Sequence, residues 1–181
     1  MDVMDCRVLL IIDSAGKTTG KWYVGAVKEN LEYKHINLAT KALVGVGLDW
    51  MYAMLKEHCE EFEYVVIVSC GNTICTDHLH IAGIADILTQ RFATHHLVMY
   101  GGASELWDNV ENNFEEMAVN IRNLFHFAGV LCIDGRTMYN KNAITRYDIG
   151  GANHLYGTSR DKAVSWLTDV VLEVFSATIR H

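Results

Sequence analysis

The sequence predicts a doubly wound α/β fold, a three-layer sandwich in which helices cover both faces of a five-stranded parallel sheet. Two observations carry this expectation. Apolar runs of strand length recur along the chain, and segments of helical period separate them, the alternation that builds right-handed β-α-β units. The runs are also apolar almost throughout rather than at every second residue, which fits strands buried on both faces.

In chain order, the first strand is expected over residues 7–13, where RVLLIID packs branched apolar side chains against an acidic stop. A helix follows over 21–30, then a strand over 33–39 (YKHINLA) and a helix over 46–60. The third strand, 64–70 (YVVIVSC), is the run richest in β-branched residues and precedes a helix over 80–92. The fourth strand spans 95–100 (HHLVMY), the next helix 104–127, and the fifth strand 129–134 (GVLCID). In the last helix, 159–177, Val164, Leu167, Val170, Val171 and Val174 recur at three- and four-residue steps and form one apolar stripe. There is no proline, so Gly and Asn must mark the loops.

The 181 residues read as a single domain over 1–181, without linker, repeat or low-complexity stretch. No apolar run reaches the roughly 20 residues of a membrane span, and the opening MDVMDCR lacks a basic segment followed by an apolar one. A cytoplasmic location is expected. The five cysteines are an odd number and sit mostly inside apolar segments, which suggests reduced structural thiols. Cys70-x4-Cys75 followed by Asp77, His78 and His80 matches none of the usual zinc spacings, so no metal is expected. A net charge of −7 without a cluster of Lys and Arg argues against a nucleic-acid partner. Residues 14–20, SAGKTTG, lack the glycine spacing of a phosphate loop.

In such folds the working site lies at the carboxyl ends of the strands. Polar, chemistry-bearing residues fall there. Ser14 follows the first strand, Gly71-Asn72 follows the third, and the glycine-rich YDIGGANHLYGTSRDKA holds His154 before the last helix. Serine acyl transfer requires a hydroxyl, an imidazole to take its proton, and hydrogen-bond donors for the oxyanion. Trp107 follows the fourth strand closely enough to line a pocket.

These blocks resemble those of the SGNH hydrolase (GDSL-like lipase/esterase) superfamily. Ile12-Asp13-Ser14 is similar to its Gly-Asp-Ser, and INLATKALVGVG to its second block, with the glycine open among Ala42, Gly45 and Gly47. Cys70-Gly71-Asn72-Thr73 looks like Gly-x-Asn-Asp, and Gly151-Ala152-Asn153-His154-Leu155 like Asp-x-x-His-Leu. The resemblance implies a flavodoxin-like sheet in the order 2-1-3-4-5 and a two-step hydrolysis of a small acyl or acetyl ester that needs no cofactor. Ser14 would be the nucleophile, His154 the base, and Asn72 an oxyanion donor together with backbone amides of Ser14 and of the second block, at Gly45. Four family positions differ: Ile12 for Gly, Cys70 for Gly, Thr73 for Asp, and Gly151 for the acid that should hold the imidazole. Asp148, six residues before His154, could replace that acid, with Asp134 a weaker candidate, or a backbone carbonyl could orient the ring and leave a Ser-His dyad. Two rival readings are a non-catalytic domain of the same fold that binds protein or nucleic acid, and a doubly wound domain that binds another small ligand.

Overall fold

Val8, Leu9, Leu10, Ile11 and Ile12 are all fully buried, so the first strand, β1 (Cys6–Ile12), needs cover on both faces. The computed structural model, which describes residues 6–69, 78–92, 96–102, 114–150 and 154–179, supplies it. Five strands form a parallel sheet: β1, β4 (Ile36–Ala42), β5 (Tyr64–Ser69), β6 (His96–Tyr100) and β7 (Leu131–Asp134), in the spatial order β4-β1-β5-β6-β7. This is the expected 2-1-3-4-5 order once the five sheet strands are counted by themselves. β1 pairs with β4 from Cys6↔Ile36 to Ile12↔Ala42, and with β5 from Val8↔Tyr64 to Ile12↔Val68.

Because side chains alternate across a strand, β1 feeds two separate cores. Val8, Leu10 and Ile12 pack with Val27 and Leu31 of α1 (Val24–Glu32) and with Trp166, Leu167, Val170 and Val171 of the last helix, α6 (Arg160–Ile179). Leu9 and Ile11 point the other way, to Leu48, Met51 and Leu55 of α2 (Leu48–His58), Ile84 and Leu88 of α3 (His78–Arg91), and Ile121 and Phe125 of α4 (Phe114–Phe127). Ile12 stands where the similar family has glycine, and its bulk fills the α1–α6 core with no exposed surface.

The expected boundaries shift in three places, each for a local reason. The helix expected from residue 21 begins at Val24, because Lys21–Trp22 form a short strand, β3, antiparallel to β2 (Lys17–Thr18), with Gly20 at φ +87° in the two-residue turn. The second sheet strand starts at Ile36 rather than at residue 33: the Lys34 and His35 N–H groups donate to Leu31 and Glu32 carbonyls, and His35 turns the chain at φ +59°. A further helix, α5 (Gly135–Lys141), follows β7, its first turn capped by the Asp134 carboxylate, which accepts from the Arg136 N–H at 2.8 Å. No described helix is long and apolar enough to cross a membrane.

Candidate active site

Ser14 stands where β1 ends. β1 lies between β4 and β5, so its carboxyl end opens at the point where the crossover connections change direction, the place where doubly wound sheets bind ligands. Asp13, only 1% exposed, caps a single 3-10 turn over Ser14–Gly16: its Oδ1 accepts from the Ala15 N–H at 2.9 Å. The Gly16 N–H donates to the Asp13 carbonyl at 3.2 Å, and the Tyr23 hydroxyl donates to the Ala15 carbonyl at 2.5 Å. The backbone of Ser14 is thereby fixed while its side chain stays half-buried. Gly16 is there because space demands it. A Cβ would come within 2.9 Å of Val24 Cγ1 and about 3.2 Å of the Trp22 ring, so the indole lies directly against this turn.

The loop after β4 runs beside the same exit. The Leu43 N–H donates to the Ile12 carbonyl at 3.3 Å, carrying the pairing past the end of β1. Gly45 follows at φ +74°, a conformation L side chains rarely adopt, with its backbone exposed.

His154 reaches this end of the sheet through backbone pairing. Leu155 forms an antiparallel bridge with Ile149 and a parallel bridge with Thr18 of β2. The Gly150 N–H donates to the His154 carbonyl at 2.6 Å, and the Thr19 N–H to the Leu155 carbonyl at 2.7 Å. Thr18 and Leu155 are each 2% exposed and point inward together, so their neighbours Lys17 and His154 lie side by side on the opposite side of this small ribbon. Burial and then the positive charge of Lys17 lower the pKa of His154 from its usual 6.5. The ring is therefore neutral near pH 7. Its Nε2 is buried and has no hydrogen-bond partner among the described residues, Ser14 and Asp148 included. Buried polar atoms are nearly always paired, so this nitrogen has hydrogen-bonding capacity that the described residues leave unused.

Asp148, expected as a replacement acid, is committed elsewhere. It closes a capping box with Thr145, whose N–H donates to Oδ2 at 2.8 Å; the Ser159 hydroxyl donates to Oδ1 at 2.7 Å, and the Lys162 ammonium lies 3.1 and 3.2 Å from the two oxygens. Burial pushes its pKa up, but the Thr145, Ser159 and Lys162 contacts outweigh this and hold the carboxyl at about 2. The reason is one of direction. Tyr156 N–H donates to the Asp148 carbonyl at 2.8 Å, so the segment pairs with the His154 loop by its backbone and sends its side chain to α6. Asp134, the weaker candidate acid, caps α5 and lies 3.6 Å from Arg122 Nη2.

Asn72, Trp107 and Gly151 lie outside the described residues, as do Cys70, Cys75 and Asp77 of the zinc-like stretch. Among the described residues no group of three His, Cys, Asp or Glu side chains could hold a metal. The structure thus gathers the segments bearing Ser14, Gly45 and His154 at one end of the sheet and adds Lys17 and Trp22, which the sequence reading did not single out as site residues. Their one signal was position, immediately after Ser14.

Neither the family models nor the curated proteins searched include a match to the sequence. Solved structures do match. The C-terminal catalytic domain of peptidoglycan O-acetyltransferase A from Streptococcus pneumoniae is 11% identical at a TM-score of 0.68, covering 98% of this chain and 97% of that one. The psychrotrophic esterase EstA from Pseudoalteromonas sp. is 12% identical at a TM-score of 0.66, covering 95% and 100%. A Parabacteroides merdae protein assigned as a GDSL-like lipase is 13% identical at a TM-score of 0.65, covering 92% and 95%. At these identities the likeness concerns the fold.

Proposed function

On the SGNH-hydrolase fold that this chain adopts, we propose a serine ester hydrolase that cleaves a small acyl or acetyl ester through an acyl-enzyme on Ser14. The observation that carries this reading is the buried, unpartnered Nε2 of His154 at the strand end where Ser14 emerges. As the Ser14 Oγ–carbon bond forms, His154 takes the hydroxyl proton, then hands it to the departing alcohol when the ester C–O bond breaks. Water, deprotonated by the same imidazole, attacks the acyl carbon; the carbon–Oγ bond breaks, Ser14 Oγ takes the proton from the imidazole, and the carboxylic acid leaves. Ser14 Oγ and His154 Nε2 must meet in the substrate complex; catalytic hydrogen bonds of free enzymes are often long and tighten when substrate binds. The oxyanion is met by the Ser14 and Gly45 N–H groups and the Asn72 amide.

With Asp148 bound to Ser159 and Lys162, the centre works as a Ser-His dyad, the backbone at His154 being held by the bridges that Leu155 makes to Ile149 and Thr18. Burial and Lys17 keep that ring unprotonated near neutrality, which a base requires.

The test is labelling by a serine-directed fluorophosphonate with mapping of the modified residue, alongside hydrolysis of p-nitrophenyl acetate. Label on Ser14, and a loss on the order of 10²-fold or more in Ser14→Ala, is the expected result. No label and equal rates would leave the non-catalytic reading, which Ile12 and Gly151 at family glycine and acid positions favour.

A further inference from the structure

Beside His154 the two short ribbons place a row of three unlike side chains. The parallel bridge Thr18↔Leu155 sets Lys17 level with His154, and the pairing Lys17↔Trp22 sets the indole level with Lys17 on its other side. Paired residues point to the same face, so imidazole, ammonium and indole follow one another across the ribbon that succeeds the Ser14–Gly16 turn. The ammonium is held: Lys17 Nζ lies 5.4 Å from the Trp22 ring centroid, and the ring itself rests on Gly16. Among the described residues no carboxylate pairs with Lys17, although the chain carries a net charge of −7. Its field is felt instead by the His154 ring. A cation fixed over an aromatic ring and left without a counter-ion is a preorganised anion site.

We propose that Lys17 is a specificity-determining residue, selecting esters that carry a carboxylate or phosphate near the scissile carbonyl, with Trp22 holding its ammonium in position. The proposal rests on the ester-hydrolase reading of Ser14 and His154 and names the substrate class of that site. The anion lies along the row past His154 and meets the Lys17 ammonium, while the carbonyl carbon lies at Ser14. No carboxylate or phosphate is consumed in the reaction; it only anchors the substrate.

Paired substrates test this. The full chain and its Lys17→Met and Lys17→Arg variants would be assayed on 4-acetoxybenzoate, on 4-acetoxyphenyl phosphate, and on the neutral methyl 4-acetoxybenzoate, at about pH 9 where the imidazole is neutral in every variant. Differences in intrinsic reactivity cancel when each ester is compared with itself across the variants. In Lys17→Met the loss of kcat/KM on an anionic ester should exceed the loss on the neutral one by about three- to tenfold, mainly through KM, as for a partly exposed ion pair. Lys17→Arg should recover most of the difference, and added salt should shrink it. The larger effect, on carboxylate or on phosphate, identifies which anion the site prefers. Equal losses on charged and neutral esters would overturn the role of Lys17 while leaving the hydrolase intact. If the unaltered chain cleaves none of the three esters and takes no fluorophosphonate on Ser14, the hydrolase reading falls, and the proposal with it.

Discussion

A histidine kept partly buried next to a lysine holds a proton poorly, and in the proposed hydrolase this sets the pH range over which His154 would act as base. Its folded pKa lies below 6.5, first through burial and then through Lys17. The acid limb of the rate of ester cleavage should therefore have its midpoint below pH 6.5, where His154 gains its proton. Replacing Lys17 by Met removes the repulsion, so the acid limb of the pH–rate profile should move to higher pH. The His154 ring protons followed by NMR titration should move the same way, and an unmoved titration would show that the ammonium does not face the ring. Asp148 behaves in the opposite sense. Its half-buried carboxylate accepts from the Thr145 N–H, the Ser159 hydroxyl and the Lys162 ammonium, so Asp148→Asn should cost about 1–3 kcal/mol of stability, read as a lower denaturant midpoint. Its kcat should fall far less than the roughly 10⁴-fold expected if Asp148 oriented the base.

At the scale of elements, the turn Ser14–Gly16 and the ribbon β2–β3 act as one unit. An added methyl in Gly16→Ala would press on Val24 Cγ1 and the Trp22 ring, costing about 1–3 kcal/mol and displacing the indole, so a lower Tm should accompany altered tryptophan fluorescence. The sheet strands were legible in the sequence because both faces of a parallel strand are buried and leave an unbroken apolar run, as VLLII and YVVIV do. The last helix was legible because its buried face repeats over twenty residues. β2 and β3, at two residues each, are too short to show any period, so Lys17 read as a loop residue and Trp22 as part of the helix expected over 21–30. α5 spans seven residues and hides in the same way. For the site, position along the chain could put Ser14 and His154 at strand exits but could not give the direction of a side chain. Asp148 lies close to His154 in sequence, yet the backbone pairing of the two segments turns its carboxylate toward Lys162.

Taken whole, the molecule is two cores that share one sheet, and β1 belongs to both. Leu9→Ala and Leu10→Ala remove methyl groups from opposite faces of the same strand, and each should cost about 2–5 kcal/mol in chemical unfolding. Acid should weaken the fold in two stages. His154 binds its proton more tightly in the unfolded chain, so its contribution to stability is present above pH 6.5 and declines as pH falls through its lower folded pKa. Asp148 contributes in full above its usual 3.8 and loses that contribution as pH drops to about 2. Denaturant midpoints measured against pH should show both stages, and His154→Asn should remove only the upper one. The pairing between β2 and Leu155 has one more consequence. It joins parts of the chain more than 130 residues apart through two backbone donors, the Gly157 N–H on Thr19 Oγ1 at 3.2 Å and, shorter, the Thr19 N–H on the Leu155 carbonyl at 2.7 Å. The exchange of the Thr19 amide proton with solvent is thus a gauge of whether the two halves of the site are assembled, legible without any substrate.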